Sequence, residues 1–159
     1  MSQYKMEWVT DQLAAGYATL SYEDLAFVKE KGITAIVNLY GEFCDLCEIQ
    51  KKQGFKVLYV PILDECALDL ATLEKVIKWV EEKIEEEKKI LVHCRFGVGR
   101  TGMIVFAYLL RRGMGLKAIT RKLKNHRVNP SAYCHWKLLR QYEKSLKNIA
   151  VTGKVSNAD

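Results

Sequence analysis

The residues with chemistry in them gather between positions 90 and 102, which read I-L-V-H-C-R-F-G-V-G-R-T-G. An apolar run, Ile90-Leu91-Val92, leads to His93 and Cys94. A glycine-rich loop then ends in Arg100, Thr101 and Gly102, and an apolar stretch of helical character fills 103–110. This order reads as a buried strand, a tight turn and a helix N-terminus. Gly97, Gly99 and Gly102 open backbone angles closed to other residues, so successive N–H groups can gather around one centre. Such a loop at a helix N-terminus binds a tetrahedral dianion such as phosphate. Arg100 adds a fork able to hold two oxygens at once. Cys94 lies at the bottom, where the same positive field favours its nucleophilic thiolate. Thr101 offers a hydroxyl that can bond that thiolate and help it leave. The whole is a nucleophile set inside an anion hole.

Competing readings of the same stretch fail on specific residues. The run from Gly97 to Gly102 fits G-x-G-x-x-G, but a dinucleotide site needs an acidic residue about twenty positions on. From 88 to 142 there is no Asp or Glu at all. A phosphate loop of the Walker kind needs Gly-Lys-Ser/Thr, which is absent. An ordinary structural cysteine would not require Arg100 six positions later.

The string His93-Cys94, five residues (Arg95, Phe96, Gly97, Val98, Gly99), then Arg100-Thr101 resembles the signature of the cysteine-dependent protein tyrosine phosphatase superfamily. The short chain, without long insertions, is similar to a compact dual-specificity or archaeal/bacterial-type member. The resemblance implies a phosphocysteine intermediate on Cys94, a phosphoryl clamp by Arg100, and an aspartate on a separate loop that protonates the leaving oxygen. It implies for His93 a role in orienting the loop and tuning the thiolate. A strand-end side chain beside Cys94 points away from it, so direct proton transfer by His93 is not expected. Neither a metal nor a cofactor is called for, because Arg100 and the loop dipoles supply the positive charge.

The general acid is expected about thirty residues upstream, where Val60-Pro61-Ile62-Leu63-Asp64-Glu65-Cys66 leaves a strand for a loop. Asp64 occupies that place, with Glu65 and Asp69 as rivals. Many relatives carry a proline shortly after the acid; here Ala67-Leu68-Asp69 stands instead. Asp69 also reads as an N-cap for the following helix. Relatives often carry a water-positioning glutamine near the last helix, where this chain has Tyr133-Cys134-His135-Trp136.

Stepping outward, these groups need a sheet and helices to hold them. Short strands are expected around Trp8-Val9 and over 13–16. Ser21 reads as an N-cap, with Asp24 completing a loose capping box, and Gly32 as a helix end. A buried, central, parallel strand follows over 33–39. The alternation repeats as a helix over 43–53 ended by Gly54 and a strand over 56–60. The clearest helix covers 70–88, with Leu70, Leu73, Val76, Ile77, Val80 and Ile84 on one face and Glu74 placed to pair with Lys78. A strand over 89–93 and helices over 100–112 and 116–125 complete the pattern. Asn129 as N-cap and Pro130 as first residue open a last helix over 131–147. The expected fold is therefore α/β, a three-layer sandwich with a central, mostly parallel sheet flanked by helices. It forms a single phosphatase domain over 1–148, with a loose C-terminal tail over 149–159.

The 159 residues, 49% apolar and 28% charged, are ordinary for one globular domain with a full core. No apolar stretch is long enough to span a bilayer, and the N-terminus is no signal peptide. The five cysteines fit a reducing cytoplasm better than a disulfide scaffold. Cys44-Asp45-Leu46-Cys47 supplies only two ligands and reads as structural, while Cys44, Cys47 or Cys66 could reversibly cover Cys94 in a disulfide. The net charge of +6 is concentrated in the acid-free span, whose thirteen Lys and Arg residues steer phosphorylated partners or form solvated helix faces. Nucleic acid is disfavoured, since no recognition motif accompanies the charge. The expected partner is a phosphorylated protein substrate, met by a monomer. The substrate alternatives are a phosphoinositide or an RNA 5′-phosphate; the alternative to an enzyme is a phospho-binding pseudophosphatase.

Overall fold

The computed structural model describes residues 3–156, with side chains to 152. Five strands form one sheet in the order β1-β2-β5-β3-β4. These are β1 (Met6–Trp8), β2 (Leu13–Gly16), β3 (Ile33–Tyr40), β4 (Lys56–Ile62) and β5 (Lys89–His93). Only the β1–β2 pair is antiparallel; β2, β5, β3 and β4 run parallel. Parallel strands need crossovers that cover both faces, and the chain supplies α1 (Tyr22–Glu30), α2 (Asp45–Lys52) and α3 (Leu70–Glu85). After β5 come α4 (Gly99–Arg111), α5 (Leu116–Lys122) and α6 (Tyr133–Ser156).

The period-two alternation of the strands sorts the core into two layers. Leu13, Ala15, Ala35, Val37, Ile90 and Val92 face the larger layer, built with α3 to α6. Ala14, Ile36 and Leu91 face the smaller one, with Leu25 and Val28 of α1. The fold is thus the three-layer α/β sandwich expected, with α4 buried along almost its whole length.

Local signals act where the residue types put them. Ser21 Oγ accepts from the Asp24 N–H at 3.1 Å, and Gly32 and Gly54 close their helices at positive φ. Asp69 caps α3, accepting from the Thr72 N–H at 2.8 Å.

Four expectations are corrected. Glu74 does not pair along its own helix with Lys78; it holds Arg111 of α4 at 2.8 Å, with Glu81 at 3.2 Å, because the cross-helix guanidinium reaches two carboxylates at once. Asn129 and Pro130 do not open the last helix. They pack against Gly102, where a Cβ would lie 2.5 Å from the Asn129 carbonyl carbon, and α6 begins at Tyr133. The last helix runs past 147, since α6 continues to Ser156; residues 157–159 fall outside the described ones. Finally, only Gly97 of the three loop glycines uses positive φ, at 68°. Gly99 and Gly102 belong to α4, and they are small because Ser131 and the Asn129-Pro130 backbone press on them.

Candidate active site

Strand β5 delivers His93 and Cys94 to the end of the sheet, and α4 starts five residues later. Cys94 is 3% exposed, and its sulfur accepts a hydrogen bond from the Thr101 hydroxyl at 3.2 Å. The connecting loop is held by its carbonyls. Arg95 C=O accepts from Ala18 N–H (3.0 Å), and Val98 C=O accepts from Gly102 N–H (2.8 Å) and Asn129 N–H (3.2 Å). The N–H groups of Arg95, Phe96, Gly97 and Val98, by contrast, donate to no acceptor among the described residues. Four successive free donors beside a helix N-terminus are a ready anion site. Gly97 cannot be replaced without penalty, because a Cβ there would collide with the Gly16 backbone as well as strain φ.

Arg100 is 3% exposed, in the first turn of α4. Its Nη1 alone is committed to the protein, donating to both Glu42 oxygens (2.8 and 2.9 Å) and to the Ile62 carbonyl (2.6 Å). Its buried Nε has no hydrogen-bond partner among the described residues; Asp64 Oδ1 stands 3.9 Å away. A buried guanidinium with an unspent donor beside four unspent N–H groups has the capacity of an oxyanion clamp. Burial pushes the Glu42 carboxyl up, but hydrogen bonds from Arg100 and backbone, with the guanidinium charge, bring it below its ordinary value. Glu42 is a site residue that sequence reasoning missed. Locally, Tyr40-Gly41-Glu42 reads as a surface acid just past a strand.

His93 is fully buried in a closed polar chain. The Gln50 amide group donates to the Thr19 hydroxyl (3.0 Å) and to His93 Nε2 (2.8 Å), and its oxygen accepts from Asn38 (3.0 Å). His93 Nδ1 donates in turn to the Cys94 carbonyl at 2.9 Å. Both Gln50 donors are spent, so this network requires Nε2 to be an acceptor and the ring to be neutral. Burial is the main cause that pushes its pKa down to about 4; the Arg100 charge adds to it, and the bond to the Cys94 carbonyl opposes it. Asn38 was invisible as a lone polar residue within an apolar strand, and Gln50 as one polar residue among several on α2.

The acid loop leaves β4 directly after Ile62, whose carbonyl holds Arg100. Asp64 is exposed, and its Oδ1 accepts from the Glu65 N–H at 3.0 Å. The loop is pinned from α6. The Cys134 thiol donates to the Glu65 carbonyl (2.9 Å), and His135 Nε2 donates to the Cys66 carbonyl (2.8 Å). His135 Nδ1 accepts from the N–H groups of Ser131 (3.4 Å) and Ala132 (3.3 Å), so one buried ring caps α6 and tethers the loop. Burial, the largest cause, moves its pKa below the ordinary histidine value. Asp69 is spent as a helix cap. The Thr72 backbone and hydroxyl bonds hold its carboxyl below the usual range, which leaves Asp64 and Glu65 on the free part of the loop.

The remaining candidates disperse. All five cysteines are free, with Cys47 buried in α2, Cys44 exposed at its start, and Cys66 beside Cys134 and His135. Among the described residues no group of three or more His, Cys, Asp or Glu could hold a metal ion, and no helix is long and apolar enough to cross a membrane. Of the basic span, Arg95 lies over the Phe96 ring (5.0 Å) and Arg127 over Tyr17 (4.7 Å), both next to the loop. Arg111 and Lys88 are spent in ion pairs.

Known proteins match this arrangement. Dual specificity protein phosphatase Mpk3 of Drosophila melanogaster is 30% identical over 134 residues, which are 82% of this chain and 32% of that one. Dual specificity phosphatase 28 of Mus musculus is 33% identical over 101 residues, 62% of each. The chain therefore spans less than two thirds of either relative's length. The crystal structure of Tk-PTP in the active form superposes with a TM-score of 0.80 at 26% identity, covering 87% of this chain and 96% of that one. Residues 16–145, which hold every group described above, match the family described as dual specificity phosphatase, catalytic domain. The chain belongs to the dual specificity phosphatase catalytic-domain family.

Proposed function

We propose that this chain hydrolyses phosphate monoesters on proteins, phosphotyrosine first and phosphoserine or phosphothreonine as well, through a phosphocysteine intermediate. One observation carries the reading: a buried Cys94 lies at the foot of a loop with four unclaimed N–H groups, beside a buried Arg100 with an unclaimed Nε. The N–H groups and Arg100 hold the equatorial phosphoryl oxygens while the Cys94 thiolate attacks phosphorus in line. The S–P bond forms as the bond to the leaving oxygen breaks, and Asp64 gives that oxygen its proton. Water then attacks phosphorus, Asp64 takes back a proton, and the S–P bond breaks. Thr101, already bonded to Sγ, steadies the departing thiolate. His93 orients the loop by holding the Cys94 carbonyl. The positive charge comes from Arg100 and backbone, so the reaction proceeds without a metal or cofactor, carried out by a monomer in the reducing cytoplasm.

The test is release of p-nitrophenol from p-nitrophenyl phosphate in EDTA, with a phosphotyrosyl peptide and a phosphoinositide as parallel substrates. Cys94→Ser should abolish turnover, and Asp64→Ala should lower kcat by roughly a hundredfold. Near-normal rates for Asp64→Ala would move the acid to Glu65. Preferential turnover of the phosphoinositide would replace the protein substrate with a lipid. A folded wild type that binds phosphopeptide without turnover would be a pseudophosphatase.

A further inference from the structure

An apolar depression lies between the connections that follow β2 and β3. Leu20 and Tyr22, from the β2–α1 connection, face Phe43, from the β3–α2 connection, over a floor of Leu25, Leu46 and Ile49. The three wall side chains are 60%, 69% and 38% exposed, whereas Leu25 and Leu46 of the floor are buried. Large apolar side chains held at a surface with an apolar floor beneath them form a recess that gains by being filled.

The recess is continuous with the catalytic mouth through the backbone. Phe43 follows Glu42, which holds Arg100. Leu20 follows Thr19, whose hydroxyl belongs to the chain that ends on His93. Ala18, next before Thr19, donates its N–H to Arg95 of the loop. The β2–α1 connection thus joins the recess to the loop that follows Cys94.

Size and charge choose the occupant. The recess holds about 150 Å³, the volume that takes one benzene-sized group, which suits a single Leu, Met or Phe side chain rather than an acyl chain. Glu23 and Asp24 stand in the first turn of α1, Asp24 accepting from the Leu20 N–H at 3.0 Å, and Asp45 stands in the first turn of α2, while Glu48 is paired with Lys51. Those carboxylates repel an anionic bilayer surface and accept a neutral or basic polypeptide. We propose that this recess binds one large apolar side chain of the phosphoprotein substrate, close in sequence to the phosphorylated residue. The inference rests on the phosphoprotein reading above and deepens it: the apolar anchor, as well as the phosphate, selects the substrate.

The experiment compares phosphotyrosyl peptides that carry Leu or Gly at one position at a time on either side of the phosphotyrosine. It measures kcat/KM with wild type, Leu20→Asp and Tyr22→Ser, and also the affinity of the same peptides for Cys94→Ser. At one position Leu should be favoured over Gly by about tenfold in both measurements, and each wall variant should erase that ratio. Both wall residues are well exposed, and the ratio within one variant is insensitive to its overall activity. Equal values at every position overturn the proposal, as does a preference that survives both variants. If a phosphoinositide is turned over and no peptide is bound, the recess has lost its occupant and the proposal falls. If no substrate is turned over, the catalytic reading fails, and the affinity ratio on Cys94→Ser still decides whether the recess selects an apolar anchor.

Discussion

At the scale of single residues, the site is governed by which donors are spent and which are not. Arg100 commits one nitrogen to Glu42 and Ile62 and keeps Nε unspent, so Glu42 fixes the fork without occupying its working edge. Glu42→Gln should therefore leave Cys94 in place but loosen the clamp, lowering kcat/KM for p-nitrophenyl phosphate by about ten- to a hundredfold. An unchanged value would mean that Ile62 alone positions the guanidinium. His93 makes a different prediction, about pH. Its pKa is about 4 in the fold and about 6.5 in an unfolded chain. The unfolded state therefore binds the extra proton first as pH falls. Above roughly pH 6.5 the ring costs nothing; between 6.5 and 4 the fold loses stability, on the order of 3 kcal/mol by the lower end. Urea titrations from pH 7 to pH 4 should show that acid limb in wild type and a flatter one in His93→Gln.

At the scale of elements, helix ends decide which carboxylates are available. Asp69 looked like a rival acid and is the α3 cap, accepting from both the N–H and hydroxyl of Thr72. Asp69→Ala should lower Tm by a few degrees, roughly the loss of one cap, with p-nitrophenyl phosphate turnover held within about twofold. A large fall in kcat, with the pH profile losing its alkaline limb, would instead make Asp69 the proton donor. The same logic explains why the α6 start was misread. Asn129-Pro130 carries the ordinary signature of a helix opening, yet that segment is drawn against Gly102 of α4. The capping falls to His135, which bonds back to Ser131 and Ala132 from inside the helix.

At the scale of the whole molecule, the sheet places its chemistry at one edge. Strands β2, β3, β4 and β5 run parallel, so their C-terminal ends deliver Gly16, Tyr40, Ile62 and His93 together, and the loops that follow bring the recess, Glu42, the acid loop and the phosphate loop. Away from that edge, Arg111 ties α4 to α3 through Glu74 and Glu81. A double-mutant cycle between Arg111→Ala and Glu74→Ala should give a coupling of about 0.5–1 kcal/mol, reduced at high salt. No coupling would mean that the apolar α3–α4 contact holds the pair by itself.

The amino-acid sequence alone determined the phosphate loop, because His93, Cys94, Arg100 and Thr101 are close in the chain and their spacing is itself the geometry. It determined the layered fold as well, since alternating helix and strand patterns leave a parallel sheet few ways to cover both faces. The loop that carries Asp64 was legible by its place after a strand. Glu42, Gln50, Asn38 and His135 were not, because each acts on a partner distant in sequence and looks locally like a surface acid, a helix amide, a polar break or a lone ring. Which carboxylate clamps Arg100, which ring tethers the acid loop, and which apolar side chains stay exposed beside the mouth were decided only when the chain folded. Hydrogen bonds and burial between distant segments depend on where the sheet brings their ends, and no local pattern carries that information.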